Sequence, residues 1–455
     1  MNLNNIRSFT VLGLFGTNDV TLPFKDGIKI LIGENGLGKT QVLNLFYYTL
    51  ERNFFRLGEF NFNKIILEFD IEKIEISKIQ IDELIKEAFS DPTIKDFIEE
   101  FGYSHFEFFR NKFIHFKGNK FQLERELESN YNYNKYRKFP LHRILRIFDN
   151  IDTNSSNIFN SQIKNSENII NNAIKGYDIM YFPTYRRVEE DLHSLGYDEE
   201  NKNFDEEKTL IQFGMDDVQR RFNFIQNTID KQLKEGLAQF TKDILNVVID
   251  DVQPRNNLFE NINEEDIDII LSRVGNLLPQ HQKDSVKNII IKKEYKNQLH
   301  GYLLQKLIDI YEKQKELDNS VKLFRDVCNK YLINKEVFYD ESAIKIFIKS
   351  HFTGNEIKLS KLSSGEKQIV SIFSKVYLSE KDKRFIVLFD EPELSLSMIW
   401  QKQLLPDILN SKKCDFLLAV THSPFIFDNN LDQYAVGLSE YVTGSTETFK
   451  HGELN

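Results

Sequence analysis

Short apolar runs with the look of strands stand near both ends of the chain. The runs at 28–32, 385–389 and 416–420 are each five residues long, as expected of buried strands in a parallel sheet. The first run is followed by a glycine-rich loop and by KTQVLNLFYYTLERNF, whose apolar positions recur at helical spacing. A strand, a loop and a helix in this order indicate an α/β fold.

Between these runs lies a long segment with mostly helical periodicity. IDELIKEAF and TIKDFIEEF predict short helices after a strand in KIILEFDI, and longer helices are predicted within 204–245 and 298–332. From Val337 the pattern alternates, which predicts a hairpin that turns at 353–355 and leads into an amphipathic helix in KLSSGEKQIVSIFSKVYL. We expect three domains: an N-terminal lobe over 1–190, a helical insertion over 191–335 and a C-terminal lobe over 336–455.

The loop GENGLGKTQ has the G-x-x-x-x-G-K-[ST] spacing of a phosphate-binding loop. Its glycines let backbone N–H groups face the phosphates, the Lys39 ammonium would reach the β- and γ-phosphates, and the Thr40 hydroxyl suits Mg²⁺. The alternative is a plain glycine turn, but the flanking strand and helix favour a nucleotide site. The residues assigned to this site are Gly33, Asn35, Gly36, Gly38, Lys39, Thr40 and Gln41.

Carboxylates and a histidine follow the other two apolar runs. RFIVLFDEPELSLS ends its strand in Asp390 and Glu391, of which Asp390 suits the shell of a Mg²⁺ ion and Glu391 suits polarising a water molecule. His422 follows the run 416–420, where a histidine can hydrogen-bond a γ-phosphate or the attacking water. Each motif by itself has a simpler interpretation: Asp390 and Glu391 as an acidic turn, and His422 as an ordinary loop histidine.

A second candidate anion site lies in KLSSGEKQ, where Ser363, Ser364 and Gly365 form a turn at a predicted helix start. With it, the motifs and their order resemble the ATP-binding-cassette class of ATPases: Walker A at 33–40, the signature at 362–368, Walker B at 385–391 and the switch histidine at His422. The sequence SSGE is similar to the signature motif of the soluble SMC and RecF-like branch of this class. The glutamine-loop residue stays unassigned, with Gln80 a candidate by position.

The resemblance to this class implies a fold, cofactors and an assembly. The fold is a P-loop ATPase head of α/β type, SMC- or RecF-like, with a large and mostly helical insertion. The cofactors are ATP and Mg²⁺, with Glu391 and His422 as catalytic residues and Thr40 and Asp390 at the metal. Because the chain has one copy of each motif and the class closes each site with the signature of another subunit, a homo-oligomer with ATP between its heads is implied.

Composition narrows the choice of function. Among 455 residues, 41% are hydrophobic and 28% are charged, which is typical of a soluble globular protein, and no apolar stretch is long enough to span a membrane. With no basic-then-apolar leader, we expect a cytoplasmic protein. The net charge of −10 argues against a protein whose main task is coating nucleic acid. The two cysteines, Cys328 and Cys414, are far apart and predicted to be buried thiols.

Two basic stretches in the middle of the chain have more than one interpretation. In YDIMYFPTYRRVEEDL, Arg186 and Arg187 follow a predicted strand, where they would contact phosphate or couple the insertion to the nucleotide. An ion pair with Glu189 or Glu190 is an equal alternative. NKYRKFPLHRILR, at 134–146, interleaves basic and aromatic residues, which suits nucleic acid or an acidic partner, although a solvated helix face is favoured.

The segments PTYRR, LIQFGMDDV, LSSGEKQ and DEPELSL resemble one group of bacterial anti-phage defence ATPases, the AriA type of PARIS systems and, next, the PtuA type of Septu and retron systems. Relatives usually carry His-Pro after the LSL run, whereas this chain has Ser397-Met398. The resemblance implies that the ATPase controls a separate nuclease, a TOPRIM-type protein like AriB or an HNH protein like PtuB, until a phage-encoded trigger is sensed. The segment after His422 is too short for either nuclease domain, so the nuclease is expected on another chain.

Two further functions compete with control of a nuclease. A RecF-like repair ATPase would act directly on DNA, which the acidic net charge and the lack of a sustained heptad disfavour. A structural module with a decayed site is disfavoured by the presence of Lys39, Asp390, Glu391 and His422. We therefore expect ATP hydrolysis to be the chemistry of this chain.

Overall fold

The chain folds into two compact units. The computed structural model describes residues 6–33, 36–90, 92–101, 158–184, 214–250, 264–273, 279–292 and 298–443. One unit combines 1–212 with 383–455, and 213–382 forms the other, so the second unit is inserted into the first. The segment that begins at Ser364 belongs to the inserted unit, whereas the sequence interpretation grouped it with the C-terminal lobe. The division into three domains stays a prediction.

Helices and strands are numbered here in chain order over the described residues. The helices are α1 (Lys39–Leu50), α2 (Phe54–Gly58), α3 (Lys78–Ser90), α4 (Pro92–Phe101), α5 (Ile158–Ala173), α6 (Met215–Asp250), α7 (Glu264–Arg273), α8 (Gln280–Lys292), α9 (Gln298–Cys328), α10 (Ser364–Tyr377) and α11 (Met398–Asn410). The strands are β1 (Ile6–Leu14), β2 (Asn18–Pro23), β3 (Ile28–Ile32), β4 (Lys64–Phe69), β5 (Lys73–Ser77), β6 (Tyr177–Phe182), β7 (Lys335–Asp340), β8 (Lys345–Ser350), β9 (Glu356–Ile357), β10 (Arg384–Asp390), β11 (Cys414–Thr421), β12 (Ala435–Gly437) and β13 (Val442–Thr443).

A parallel five-stranded sheet forms the centre of the first unit. Its strand order is β12-β3-β11-β10-β6, and every neighbouring pair is parallel. The three apolar runs predicted as buried strands are β3, β10 and β11, and β10 is buried from its second residue to its last. Because the strands are parallel and in register, their carboxyl ends meet at one edge of the sheet. The α/β class predicted from the sequence is confirmed.

An antiparallel sheet of order β13-β2-β1-β4-β5 completes the core of this unit. Apolar residues of this sheet, of α1 and of the parallel sheet share one buried cluster. The Phe46 ring on α1 lies 5.0 Å from the ring of Phe9 and 5.6 Å from the ring of Phe416, measured between centroids. Burying aromatic rings of this size contributes on the order of 2–3 kcal/mol each. The helix after the phosphate loop is therefore held against both sheets.

The helix after the phosphate loop is shorter than the sequence predicts. The segment KTQVLNLFYYTLERNF was expected to be one helix, but α1 ends at Leu50 and α2 begins at Phe54. Arg52 between them has φ 57°, in the left-handed region that stops a right-handed helix. The Asn53 side chain then accepts a hydrogen bond from the Arg56 backbone N–H and caps α2. Apolar periodicity continues across the break, which is why the pattern alone did not reveal it.

The inserted unit contains long helices and a small antiparallel sheet of order β7-β8-β9. The segment 298–332, predicted as one helix or two, is the single helix α9 followed by a turn. The predicted hairpin is present as β8 and β9, and Gly354 at its turn has φ 69°. Inside the unit, the Arg273 guanidinium and the Asp318 carboxylate form a buried ion pair of 2.6 Å. Both cysteine thiols are buried, and burial raises the pKa of Cys414 to about 12.

No helix among the described residues combines the length and the apolar character needed to cross a membrane.

Candidate functional site

Among the described residues of the glycine-rich loop between β3 and α1, the N-cap position of the helix is a glycine and has no side chain to cap it. Gly36 and Gly38 have φ 89° and 85°, a backbone conformation that residues with a Cβ rarely adopt. A Cβ on Gly38 would also lie 2.8 Å from the Phe15 ring. Gly38 is the N-cap of α1 and makes no side-chain cap hydrogen bond, and no acidic residue lies in the first turn. The start of α1 therefore keeps the partial positive charge that favours phosphate.

Lys39 lies inside this loop rather than in solvent. The residue is only 5% exposed, and its ammonium donates a hydrogen bond of 2.6 Å to the Gly33 carbonyl. Burial lowers the pKa of Lys39, and the nearby carboxylates of Glu391, Asp390 and Glu393 partly offset that effect. A cation held in this way beside a helix start is placed to bind a phosphate.

Asp390 joins the phosphate loop to the end of β10. The Thr40 hydroxyl donates a hydrogen bond of 2.9 Å to Asp390 Oδ1, although the two residues are 350 positions apart. The Thr184 hydroxyl, just beyond β6, donates a bond of 2.8 Å to Oδ2 of the same carboxylate. Asp390 is 1% exposed, so these hydroxyls replace the water that a buried carboxylate loses. Hydroxyl and carboxylate oxygens around one point are the donors that Mg²⁺ prefers.

Glu391 directly follows β10, and its backbone leaves the strand conformation. Its backbone N–H donates to the Val420 carbonyl at 2.8 Å, and its φ is 52°. Partial burial raises the pKa of Glu391, and the negative charges of Asp390 and Glu393 add to the increase. A carboxylate whose pKa lies above its ordinary value is a better proton acceptor near neutral pH than an ordinary glutamate.

His422 lies beside this carboxylate at the end of β11. Its Nε2 is 3.8 Å from Glu391 Oε1. Its backbone N–H donates a hydrogen bond of 2.7 Å to Glu393 Oε1, and Glu393 Oε2 is buried with no hydrogen-bond partner among the described residues. The loops after β10 and β11 are thus connected through a side chain as well as through the sheet.

The serine turn in the inserted unit is a capped helix start. The Ser363 hydroxyl accepts from the Glu366 backbone N–H, and Glu366 Oε2 accepts from the Ser363 N–H, which together form a capping box. Lys335 donates to both Glu366 oxygens at 2.6 and 2.7 Å. Burial alone would raise the pKa of Glu366, but the bonds from Lys335 and Ser363 outweigh it and lower the pKa. Ser363 and Ser364 are exposed, whereas Gly365 is buried.

Other residues assigned from the sequence are placed differently or lie outside the described part of the chain. Gln41 is in the first turn of α1, half-buried. Gln80 is on α3, which directly follows β5 of the antiparallel sheet. Its side chain forms hydrogen bonds with Ser77 and Gln162. Asn35, Arg186, Arg187 and the basic stretch 134–146 lie outside the described residues.

Sequence reasoning missed three residues that the fold brings to this site. Thr184 stands in the segment PTYRR, in which only the arginines carry a predicted role, and its position after a strand was the available signal. Glu393, two residues after Glu391, is not among the residues assigned to the site from the sequence, although it stands in the same acidic segment DEPELSL. Phe15 lies in the turn between β1 and β2, and its contact with Gly38 joins segments that nothing in the local sequence connects.

The residues present fit a nucleotide with a magnesium ion. An uncapped helix start, a buried ammonium and a hydroxyl–carboxylate pair occur within a few residues of one sheet edge. Among the described residues, no group of three or more His, Cys, Asp or Glu side chains is arranged to hold a metal ion. A metal at Thr40 and Asp390 would therefore depend on phosphate and water oxygens for its other ligands, as Mg²⁺ commonly does.

Comparison with known proteins gives one family and a set of similar structures. The family model described as "AAA ATPase domain" matches residues 5–427. Among solved structures, an Smc head bound to the C-winged helix domain of ScpA shares 10% identity, covering 93% of this chain and 90% of its own, with a TM-score of 0.34. The Smc head from Pyrococcus furiosus bound to the C-terminal domain of ScpA shares 11% identity, with 93% and 91% coverage and a TM-score of 0.36.

The Smc head with a coiled coil and joint from Pyrococcus yayanosii shares 12% identity, covers 93% of each chain and has a TM-score of 0.32. No curated protein matches the sequence.

Proposed function

Because the chain belongs to the AAA ATPase domain family, we propose that it binds ATP with Mg²⁺ at the phosphate loop and hydrolyses it with Glu391 and His422. The observation that carries this proposal is the contact between Thr40 and Asp390, next to the Glu391–His422 pair. A hydroxyl from the phosphate loop and a carboxylate from a distant strand meet at 2.9 Å. Packing of the core does not require polar groups to be gathered at one sheet edge, as the side chains of Lys39, Thr40, Asp390, Glu391 and His422 are.

Each residue has a distinct part in the proposed reaction. The start of α1 and the Lys39 ammonium bind the β- and γ-phosphates, and Thr40 and Asp390 hold the metal. When bound, Mg²⁺ neutralises phosphate charge. Glu391 orients a water molecule and accepts its proton, for which its raised pKa is suited. His422 donates a hydrogen bond toward the γ-phosphate or that water.

We also propose that the site is completed by the serine turn of a second copy. The chain has one phosphate loop and one KLSSGEKQ segment, and Ser363 and Ser364 are exposed at a helix start. A helix start with exposed hydroxyl groups can bind the far side of a γ-phosphate. ATP would then lie between two heads and stabilise a homo-oligomer.

Control of a separate nuclease in anti-phage defence is the wider proposal. It is supported by the resemblance of PTYRR, LIQFGMDDV, LSSGEKQ and DEPELSL to the AriA and PtuA types of defence ATPase. In this proposal the inserted unit binds an AriB-like TOPRIM or PtuB-like HNH nuclease, and a phage-encoded trigger releases it. ATP-dependent association of heads would fix the position of the nuclease-binding surface.

A mixing experiment tests the composite site. Ser363→Arg places a long side chain at the serine turn, and Lys39→Ala removes the phosphate-binding ammonium, so neither variant alone should hydrolyse ATP. A mixed dimer contains one site with both defects and one with neither, so partial hydrolysis should return on mixing. An absence of recovery at every mixing ratio would contradict the composite site.

Co-purification tests the wider proposal. We expect a nuclease encoded beside this gene to bind the ATPase in the presence of ATP, and Glu391→Gln to retain that complex. Tight DNA binding by the ATPase alone, without any stable nuclease complex, would instead support the repair function.

A further inference from the structure

Gln401, on α11, bonds to both loops that carry the proposed catalytic residues. Its Nε2 donates hydrogen bonds to the backbone carbonyls of Leu396 at 2.9 Å and Glu393 at 3.3 Å. Its Oε1 accepts a bond of 2.5 Å from the Ser423 hydroxyl, next to His422. One carboxamide group therefore joins the loop after β10 to the loop after β11.

The loop after β10 needs such support. It has no regular secondary structure between β10 and α11, and two of its non-glycine residues, Glu391 and Ser395, have φ of 52° and 66°. Left-handed conformations of residues with a Cβ cost about 1 kcal/mol each and persist only where surrounding contacts fix them. The bonds from Gln401 to two carbonyls in this loop are contacts of that kind.

The two loops are also tied to each other by the bond from the His422 N–H to Glu393 Oε1, 2.7 Å long. Glu393 therefore meets Gln401 through its backbone and His422 through its side chain. The side-chain hydrogen bonds of Gln401 to described residues go to Glu393, Leu396 and Ser423. None of them goes to Lys39 or Thr40, the residues proposed to bind phosphate and metal.

We propose that Gln401 is a positioning residue for hydrolysis: it locks the loop 391–396 to the loop 421–423, and so holds His422 and Glu391 at their separation of 3.8 Å. The inference rests on the proposed function, because it assigns Gln401 a part in the reaction of that pair. It implies that a displacement of loop 391–396 is passed to His422 through the Gln401 amide as well as through the bond from the His422 N–H to Glu393. Loss of that side chain lowers turnover and leaves nucleotide affinity unchanged.

The kinetic test compares two glutamines on the same helix. Gln401→Ala should lower kcat about tenfold, the net effect of losing its three hydrogen bonds in a positioned site, with KM unchanged. Gln403→Ala should leave both constants at the wild-type values, because Gln403 is exposed on α11. Ser423→Ala, which removes one of the three bonds, should lower kcat about threefold. Gln401→Glu keeps an acceptor for Ser423 but not the donors, so it should restore only part of the rate.

A double-mutant cycle separates positioning from general destabilisation. In a His422→Ala background, Gln401→Ala should cause a smaller further loss of kcat than in the wild type, because the Glu391–His422 pair whose separation it holds is already broken. Equal losses in both backgrounds would overturn the proposal. So would a wild-type kcat for Gln401→Ala in a chain that does hydrolyse ATP.

Hydrogen exchange of the nucleotide-free protein provides a readout that does not depend on turnover. Gln401→Ala should speed exchange in peptides covering 393–396 and 421–427 and leave a peptide covering 39–50 unchanged, whereas Gln403→Ala should change none of them. Unchanged exchange in the two loops would overturn the inference even if the protein is an ATPase. If wild-type turnover does not exceed that of Lys39→Ala, the proposed function fails, and the exchange result still decides whether Gln401 locks the loops.

Discussion

Two helices of this protein begin at serine- or glycine-rich turns, and they begin in opposite ways. Helix α1 starts after Gly38, in a left-handed conformation and with no side chain capping it. Helix α10 starts at Ser363, inside a capping box with Glu366 that Lys335 reinforces. Both turns were interpreted from the sequence as anion sites, yet their local chemistry differs.

The difference concerns what satisfies the backbone N–H groups of the first turn. At α10 the serine hydroxyl and the glutamate side chain supply hydrogen bonds from within the protein, so the turn keeps its shape without a ligand. At α1 the N-cap is Gly38, which has no side chain to do so, and an anion from outside would complete the turn. We infer that the first turn is a binding loop and the second is a preformed surface that is presented to a partner.

The largest expected effect comes from Lys39→Ala. Without the ammonium, ATP affinity should fall about 100-fold or more, which corresponds to ~3 kcal/mol, and turnover should fall to background. Titration with a fluorescent ATP analogue measures the affinity, and Lys25→Ala, at an exposed position, is the control. Wild-type affinity in Lys39→Ala would mean that α1 is not a phosphate-binding helix, and the contrast with α10 would lose its meaning.

Glu391→Gln should separate binding from hydrolysis. The amide cannot accept a proton, so kcat should fall about 100- to 1000-fold while ATP affinity changes less than about threefold. Exposed Glu72 provides a matched control, Glu72→Gln. Normal hydrolysis by Glu391→Gln would remove Glu391 as the base and make Glu393 the next candidate.

The same variant should show the sign of the Glu391 pKa shift. A carboxyl whose folded pKa is raised contributes stability that is complete below its unfolded pKa and is lost as the pH rises through its folded pKa. Glutamine does not titrate, so nucleotide-free Glu391→Gln should melt ~1–2 °C above the wild type at pH 7–8. The difference should vanish near pH 4, and a difference that grows on acidification would contradict the shift.

A smaller effect is expected at the capped helix. Lys335→Met removes the two bonds to Glu366 and should lower the free energy of unfolding by ~1 kcal/mol at neutral pH. Lys335→Arg keeps a positive charge beside Glu366 and should retain most of this stabilisation. The Glu366 pKa is lowered on folding, so its contribution is present above about pH 4.5 and is lost as the pH falls through the folded pKa. Urea unfolding at pH 7 and near pH 3.5 measures the difference between variant and wild type, and an equal loss at both pH values would contradict this interpretation.

The smallest effect is expected at Phe15, whose ring is 41% exposed and lies against the phosphate loop. An aromatic face beside the loop suits stacking on the nucleotide base, so Phe15→Ala should raise KM for ATP about fivefold with kcat unchanged. Phe352→Ala, at a ring that is 80% exposed in the inserted unit, is the control. An unchanged KM would restrict recognition to the phosphates.

The strands and motifs of the site could be predicted because their signals are local. Five-residue apolar runs identified β3, β10 and β11, and helical periodicity identified α10. The apolar residues Ile369, Ile372, Phe373 and Val376 of α10 are all buried. The break between α1 and α2 was not predicted, since the left-handed conformation of Arg52 leaves the apolar spacing unchanged. Where apolar periodicity continues through a turn, the pattern alone predicts a single helix that is longer than the one observed.

The sequence by itself determined the glycine-rich loop, the candidate carboxylates and the α/β class, because backbone conformation at glycine and burial of short apolar runs depend on neighbouring residues. Tertiary structure alone decided which side chains meet. The two oxygens of the Asp390 carboxylate accept hydrogen bonds from Thr40 and from Thr184, which lie on two other segments of the chain. Gln401 reaches Leu396 and Ser423, and Lys335 reaches Glu366, across turns of the chain. Such contacts depend on strand order and register, and hydrophobic spacing along the chain does not encode which strands become neighbours.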